Sequence, residues 1–308
     1  MKVLMSVIHR EWFNTDDLTP KDPPSAPQRN GLLAVIDWST KAVTPLMDWD
    51  SPAGFCVTDQ GLFVASMFRH DVVHLGPGLR RGRSLRHPWF SDLHTVTASR
   101  GGLLVVSSGL DSVIEVDPRL ARTNWTWSAY DHGYDRLSDG RIRAFDRRLD
   151  YSLSPTPPTV LQTTHINSAR EDAKGNVVCT LFQQGQVVLV DRRTGSTRTL
   201  LRGLSHPHSV RRTPGGGWSV CDTAVGSFVT VDEDWRVGSL MEGNFEWLQD
   251  GIVLDAHRAL ILDADHQRVV ACRLADGLEL DECRYPDRWK AFQIEVVTDA
   301  RLDALKGN

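Results

Sequence analysis

The sequence predicts an all-β fold: a six-bladed β-propeller with four antiparallel strands in each blade. The main observation is an internal repeat. Each repeat reads as a short strand, a turn that usually carries glycine, an apolar strand, a polar loop and a second apolar strand. The strand segments are rich in Val, Ile, Thr and aromatic residues, and no segment has a long apolar period of 3.6 residues. The two chain ends supply the strands of one further unit.

Five segments carry the repeat. They are GFCVTDQGLFVASMFRHDVVHL from Gly54, HTVTASRGGLLVVSSGLDSVIEVD from His94, HINSAREDAKGNVVCTLFQQGQVVLVD from His165, HSVRRTPGGGWSVCDTAVGSFVTVD from His208 and QDGIVLDAHRALILDADHQRVVACRL from Gln249. In three of them the third strand closes on aspartate, at Asp117, Asp191 and Asp232, and a turn and a further β-rich run follow. Four antiparallel strands per unit are the make-up of a propeller blade.

The chain ends complete the count of blades. KVLMSVI from Lys2, GLLAVID from Gly31 and KAVTPLMDW from Lys41 resemble the second, third and fourth strands of a blade that lacks its first strand. FQIEVVTD from Phe292 resembles a first strand with nothing after it. Joining these strands closes the ring and removes an open sheet edge. We therefore expect residues 1–308 to form a single propeller domain.

Composition argues against several classes of protein. The 308 residues are 41% hydrophobic and 24% charged with a formal net charge of -4, which gives no electrostatic basis for binding nucleic acid or an acidic membrane surface. Five cysteines without a CxxC pair argue against a disulfide framework or a cysteine zinc site. The N-terminal apolar run ends at His9 and is too short for a signal sequence, so we expect a cytoplasmic protein. The oligomeric state stays open.

Three histidines begin the first strands of successive predicted blades: His94, His165 and His208. The first strand of a blade lines the central channel, so we expect the three imidazoles to converge there. The corresponding positions of the other blades hold approximately Ala53, Gln249 and Gln293. The alternative is a buried polar cluster satisfied by water and backbone groups.

A cluster of three histidines favours a metal site. Neutral imidazole is the commonest protein ligand of zinc and also suits iron and copper, and three protein ligands with an open position are typical of a catalytic metal. We expect a divalent transition metal, zinc or iron first, with copper or manganese left open. Gln249 and Gln293 are candidates for orienting a ligand or a bound water from outside the ligand set.

Two insertions, residues 10–30 and 131–160, are expected on the channel face where the histidines begin. Long loops in a compact domain are usually functional lids or disordered insertions. Residues at and near the second insertion are candidates for acid–base or substrate-orienting work, although a solvated polar loop is an equal alternative for each: Tyr130, Asp131, His132, Tyr134 and Arg136. The loops around the same mouth offer further pocket candidates: Arg69, His70, Asp222 and His206.

The motifs PAGFCVTDQG at Pro52 and PHSVRRTPGGGW at Pro207 resemble those of a broad group of six-bladed propellers. The group includes NHL-repeat proteins, strictosidine-synthase-like proteins and the peptidyl-hydroxyglycine lyase. In the lyase family three histidines hold a catalytic zinc in the channel. The resemblance therefore implies that His94, His165 and His208 are the analogous ligands.

Three functions compete. The first is a metal-dependent enzyme of lyase or hydrolase type, in which the metal acts as a Lewis acid on a small-molecule substrate. The second is an iron- or copper-dependent oxygenase or oxidase that uses the same site, with tryptophans such as Trp247 near the mouth. The third is a non-catalytic propeller that binds a peptide or protein partner on this face, because fold alone does not settle function. The sequence favours an enzyme.

Overall fold

Six antiparallel sheets of four strands each form the protein, arranged as the blades of a propeller. The structure is a computed structural model and describes residues 1–12 and 29–307. Most of the insertion expected at residues 10–30 therefore lies outside the described residues. The all-β class and the six blades predicted from the repeat are confirmed.

The first three blades occupy the N-terminal part of the chain. The closing blade contains β1 (Lys2–His9), β2 (Gly31–Asp37) and β3 (Ala42–Trp49). The second blade contains β4 (Pro52–Thr58), β5 (Gly61–Ser66), β6 (Asp71–Gly76) and β7 (Arg80–Leu85). The third contains β8 (Leu93–Ser99), β9 (Gly102–Ser107), β10 (Ser112–Asp117) and β11 (Arg122–Ser128).

The remaining blades follow in the same pattern. The fourth blade contains β12 (Ile166–Glu171), β13 (Val177–Leu181), β14 (Gln186–Val190) and β15 (Thr197–Arg202). The fifth contains β16 (Pro207–Arg212), β17 (Trp218–Asp222), β18 (Ser227–Val231) and β19 (Val237–Glu242). The sixth contains β20 (Leu248–Val253), β21 (Arg258–Asp263), β22 (Arg268–Arg273) and β23 (Glu279–Arg284). Then β24 (Trp289–Val297) joins the closing blade, and the helix α1 (Asp299–Lys306) follows it.

Short 3-10 turns connect several strands. They lie at Arg10–Trp12, Pro77–Leu79, Ser108–Leu110, Ala129–His132, Tyr151–Leu153 and Thr159–Leu161. No helix in the described part of the chain is long and apolar enough to span a membrane.

The ring closes as the sequence predicts. β1 pairs with β2 on one side and with β24 on the other, from Lys2 opposite Val297 to His9 opposite Trp289. Two details differ from the expectation: β24 begins at Trp289 rather than Phe292, and α1 follows it. The Thr298 hydroxyl caps this helix by accepting the backbone N–H of Arg301 at 3.2 Å.

The inner strands of neighbouring blades pack against one another and enclose the channel. β4 contacts β8, β8 contacts β12, β12 contacts β16, β16 contacts β20, and β20 contacts β24. Apolar clusters fill the spaces between adjacent sheets, and the fully buried indoles of Trp49, Trp127 and Trp218 lie within them. Burial of each such side chain stabilises the fold by roughly 1.5–3 kcal/mol. Packing between the blades thus holds the inner strands, and the channel residues on them, in position.

Candidate functional site at the channel mouth

The inner strands of the second to sixth blades begin in the same way. Each shifts its register by one residue against the second strand of its blade, for example between Leu93 and Val96 in β8. Such a shift marks a β-bulge, which bends the strand and redirects its side chains. The same feature recurs in β4, β12, β16 and β20.

The register corrects the expected equivalence of the three histidines. Leu93, Ile166 and Pro207 begin their strands and each pairs with the last residue of the neighbouring second strand. His94 and His208 follow immediately and are therefore equivalent, and Asn167 holds that position in the fourth blade. His165 lies one residue earlier, just before β12, with a left-handed backbone of φ 46°. Asp92 and His206 occupy the same preceding position in the third and fifth blades, also with left-handed backbone.

The offset brings His165 against His94. Their ring centroids lie 4.8 Å apart with the planes at 84°. The carboxylate of Asp92 lies beside both rings, 3.5 Å from Nδ1 of His94 and 4.0 Å from Nδ1 of His165. Among the residues that the structure describes, Asp92, His94 and His165 are the group of three whose potential ligand atoms all lie within 4.8 Å of one another.

His208 contacts an aromatic residue that the sequence analysis did not select, Phe182, which also contacts His165. The Phe182 ring centroid is 4.9 Å from that of His165, 5.4 Å from that of His208 and 4.3 Å from that of His206. Trp247 flanks His208 from the next blade, with ring centroids 5.9 Å apart. His208 therefore shares the mouth with the other two histidines but is not a member of the compact Asp92, His94 and His165 group.

The hydrogen bonds of His94 and His165 define which ring nitrogen carries the proton. Nδ1 of His94 lies 3.2 Å from the carbonyl oxygen of Asp92, which only accepts. Nδ1 of His165 lies 2.5 Å from Oε1 of Gln162, and the Gln162 amide nitrogen donates to the Asp92 carboxylate at 2.9 Å. Both imidazoles thus donate from Nδ1, so the lone pair of each neutral ring is on Nε2.

The same argument holds for His208. Its Nδ1 lies 2.9 Å from Oγ1 of Thr223 and 3.0 Å from the carbonyl oxygen of His206. The Thr223 hydroxyl donates its own proton to the carbonyl of Leu248 at 2.7 Å, so it accepts from the imidazole. His208 therefore also carries its proton on Nδ1 and its lone pair on Nε2.

Burial keeps the imidazoles of His165 and His208 neutral. Desolvation lowers the pKa of His165 well below 6.5, and the neighbouring His94, His208 and His206 add to the effect. Desolvation likewise lowers the pKa of His208 to about 3. Within the described residues, no hydrogen-bond partner is present at Nε2 of His94, His165 or His208. Three imidazoles thus present an Nε2 without a partner, within the described residues, at one end of the channel.

Asp111 positions the segment that carries His165. Its carboxylate accepts the backbone N–H groups of Thr163, Thr164 and His165 at 2.7–2.8 Å, and the hydroxyls of both threonines. Arg143 of the insertion donates to the same carboxylate. The sequence analysis did not select Asp111 or Gln162, because their roles depend on contacts between residues far apart in the chain.

The channel beneath the histidines contains a cavity of about 30 Å³. His94, His208, Gln249 and Gln293 line it together with polar residues of the inner strands. This volume accommodates one water molecule, and the buried atoms Oγ1 of Thr95 and Oδ1 of Asn167 have no protein partner. The residues expected to converge on the channel from the sixth and closing blades, Gln249 and Gln293, therefore do reach it.

These two glutamines also make structural hydrogen bonds. The Gln293 side chain accepts the backbone N–H of Phe55 at 3.0 Å and donates to its carbonyl at 2.7 Å. Oε1 of Gln249 accepts the indole N–H of Trp247 at 2.8 Å. Both amides are therefore oriented by protein groups.

The candidate catalytic residues near the second insertion form a separate region. Asp131 pairs with Arg147, the ring of His132 stacks on Trp127 with centroids 5.6 Å apart, and Tyr130 contacts Phe145. Tyr134 packs against the core cluster between the third and fourth blades, and Arg136 donates to the carbonyl of Gly140 at 3.0 Å. None of these contacts, within the described part of the chain, is with one of the three histidines.

Other parts of the insertion do reach the loops at the mouth. The backbone N–H of Tyr151 donates to the carbonyl of Pro88 at 2.7 Å, and Thr156 hydrogen-bonds Nε2 of His70 at 2.9 Å. Burial lowers the pKa of His70. The insertion thus packs over the second and third blades.

The remaining pocket candidates stabilise loops. Arg69 pairs with Asp71 at 3.4 Å and lies 3.9 Å from Asp50. Asp222 accepts the backbone N–H of Ser205 at 2.6 Å, and burial raises the pKa of this carboxyl. His206 lies over Phe182 at the rim of the site.

Comparisons with known proteins support the fold. No protein-family model and no curated protein matches the chain. A nidogen in complex with laminin is 10% identical, with 96% of this chain and 97% of that chain covered and a TM-score of 0.65. A protein of unknown function from Bacteroides caccae is 13% identical, with 91% and 93% covered and a TM-score of 0.57. Virginiamycin B lyase from Staphylococcus aureus is 8% identical, with 77% and 70% covered and a TM-score of 0.54. At these identities the likeness establishes a shared propeller fold.

Proposed function

We propose that the protein is a metal-dependent enzyme of lyase or hydrolase type whose metal binds at the channel mouth. The observation that carries the proposal is the tautomeric state of the three imidazoles. Each donates from Nδ1 to a protein acceptor and leaves Nε2 without a protein partner. Histidines that ligate metals usually have this arrangement, in which the second nitrogen is oriented by a carboxylate, carbonyl or hydroxyl.

His94 and His165 are the central ligands in this proposal, because their rings are already in contact. His208 is the third ligand, through its free Nε2, and its use requires its ring to approach the other two past Phe182. Asp92 then orients the pair from outside the ligand set, since it lies on the Nδ1 side of both rings. The alternative is a metal on the Nδ1 side, held by Asp92, His94 and His165, which requires both Nδ1 atoms to give up their present hydrogen bonds.

A bound divalent transition metal, zinc or iron in the first place, would supply Lewis-acid chemistry or lower the pKa of a bound water. The surroundings favour a small-molecule substrate. Phe182 and Trp247 form apolar surfaces on two sides of His208, and one structural neighbour is a lyase by name. That likeness is distant, so it supports the reaction class only as an analogy.

The test is metal content. Protein purified without an affinity tag is compared with His165→Ala and with the control His257→Gln, an exposed histidine in the turn between β20 and β21. We expect close to one equivalent of metal in the wild type and in the control, and a loss of metal in His165→Ala, measured by elemental analysis. Absence of metal from the wild type after incubation with zinc and with iron(II) would contradict the proposal.

Two further variants identify the third ligand. If His208 binds the metal, His208→Ala loses it, whereas Asp92→Asn weakens affinity by about 10- to 100-fold, as expected for an orienting group. If Asp92 binds the metal directly, Asp92→Asn loses the metal, whereas His208→Ala only weakens the affinity for it. Iron or copper in the purified protein together with oxygen uptake would favour the oxygenase or oxidase alternative over lyase or hydrolase chemistry.

A further inference from the structure

A second cavity lies further along the channel, away from the histidine rings. Its volume is about 510 Å³, within the range of small-molecule sites. Its wall comes largely from the inner strands and mixes apolar residues such as Val57 and Val296 with polar ones such as Thr97 and Glu295. Arg170 lines this cavity and also the small cavity beneath the histidines, so it stands between the two.

Arg170 and Arg211 occupy equivalent positions, four residues after the first residue of β12 and β16. Their surroundings differ. Arg211 donates to the Asp250 carboxylate at 2.9 and 2.7 Å, to Glu295 at 2.8 Å and to the carbonyl of Ile294 at 2.7 Å. Four of the five N–H donors of the Arg211 guanidinium are therefore used by the protein.

Arg170 has one hydrogen bond, from Nε to the carbonyl of Val210 at 3.0 Å. No carboxylate lies within salt-bridge distance of its guanidinium in the part of the chain that the structure describes. Burial and the nearby charge of Arg211 lower the pKa of Arg170, which indicates that neighbouring carboxylates do not offset the burial of this cation. Arg170 is only half-buried by solvent exposure, and the guanidinium N–H groups that the protein does not use are available to an anion that enters the cavity.

The other charged groups of the cavity do not pair with Arg170. Glu295 lines the cavity but binds Arg211. Arg301, at the first turn of α1, also lines the cavity, and its nearest carboxylate is the exposed Asp59 at 3.8 Å. The cavity thus combines apolar and polar wall residues with two arginines: Arg170, which has no carboxylate partner among the described residues, and Arg301, which pairs with Asp59.

We propose that this cavity binds a small organic carboxylate, whose carboxylate group pairs with the free edge of the Arg170 guanidinium and whose apolar body contacts the channel wall. A planar guanidinium binds a carboxylate through two parallel hydrogen bonds. The proposal does not depend on a metal at the mouth, since the lining residues of this cavity do not include the three histidines.

The test uses benzoate and its neutral analogue benzamide, titrated into the full chain and followed by NMR chemical shifts. Because charge-assisted hydrogen bonds exceed neutral ones, we expect benzoate to bind about 10- to 100-fold more tightly than benzamide. Arg170→Gln should abolish this preference. The control Arg202→Gln, on an exposed outer strand of the same blade, should retain it.

A repeat of the titration with His165→Ala separates this cavity from the mouth, and benzoate binding should persist there. Should Arg170→Gln fail to fold, Arg170→Lys replaces it, with an expected intermediate preference because the charge remains while the paired donors are lost. Equal binding of benzoate and benzamide to the wild type, no measurable binding of either, or an unchanged preference in the Arg170 variants would each overturn the proposal.

Discussion

Two layers of the channel, one at the mouth and one below it, treat their polar groups in opposite ways. In the lower layer, Arg211, Asp250 and Glu295 satisfy one another, and Asp250 also accepts the backbone N–H groups of Gly251 and Ile294 at 2.9 Å. At the mouth, His94, His165 and His208 each make hydrogen bonds through Nδ1 and none through Nε2 with the residues that the structure describes. Saturated groups stabilise a fold, whereas groups with unused bonding capacity are suited to bind a molecule from outside. The difference distinguishes the structural cluster of Arg211, Asp250 and Glu295 from the three histidines, and Arg170 is the member of the lower layer that keeps unused donors for the proposed carboxylate.

Loss of Arg211 should give the largest effect on stability. In Arg211→Met the carboxylate of Asp250, 2% exposed, stays buried without its main partner. Removing one member of a buried ion pair costs about 3–5 kcal/mol. We expect a decrease of this size in the free energy of unfolding, measured by urea denaturation at pH 7.

The neighbouring Arg212 provides the control, because it is exposed. Arg212→Met should change the free energy of unfolding by less than about 1 kcal/mol. If Arg211→Met were as mild as this control, the lower layer would not be a structural one.

Lowering the pH should decrease the free energy of unfolding through His208 at the channel mouth. The pKa of His208 is about 3 in the folded protein, below its ordinary value of 6.5, so the unfolded chain takes up protons first as the pH falls. Above pH 6.5 the neutral imidazole of His208 costs the fold nothing. Between pH 6.5 and about 3, proton uptake by the unfolded chain progressively lowers the free energy of unfolding. At pH 4 the loss from this group is on the order of 3 kcal/mol.

The measurement is the free energy of unfolding against pH, with a chelator present, for the wild type and His208→Gln. Carboxyl groups titrate in both proteins, so the difference between the two curves reports on His208. The wild type should lose more stability between pH 7 and 4, whereas His257→Gln should follow the wild-type curve. Parallel curves for the wild type and His208→Gln would mean that the folded protein tolerates a protonated His208.

Asp111 should have a smaller effect on stability and a specific effect on the mouth. Asp111→Asn keeps the size of the side chain but removes the charge that faces Arg143 and one of the acceptors for the Thr163 to His165 segment. We expect a loss of about 2 kcal/mol in the free energy of unfolding. Weaker metal binding than in the wild type should accompany it, measured by competition with a chelator. Stability and metal affinity both equal to the wild type would show that the His165 segment is held by other contacts.

Much of the fold was predictable from the sequence because the blades repeat. Short apolar strands recur in each unit, most turns carry glycine and three of the third strands end on aspartate, and the strand from Gly31 to Asp37 has the predicted bounds. α1 was missed because it has eight residues and buries only Leu302 and Leu305, too few to show a helical period. The early start of β24 at Trp289 depends on its pairing with His9, which no local pattern reveals.

The sequence predicted which histidines lie near the channel better than it predicted how they are arranged. Three histidines near the channel were identified, but aligning histidine with histidine hid the one-residue offset of His165, because the insertion before β12 leaves no fixed loop length to align. Gln162, Thr223 and Phe182 acquire their roles from tertiary contacts. Only the hydrogen bonds at Nδ1 showed which nitrogen of each ring is available.

The pairing of β1 with β24 has a consequence for synthesis on the ribosome. The second to sixth blades are each built from consecutive strands, so each is able to form soon after its own residues emerge. The closing blade joins residue 2 to residue 297, so β1 to β3 wait for nearly the whole chain before they gain their inner strand. During translation this sheet presents an unpaired edge, to which chaperones or a neighbouring nascent chain have access. Ring closure is therefore the step at which we expect misfolding of this protein to begin.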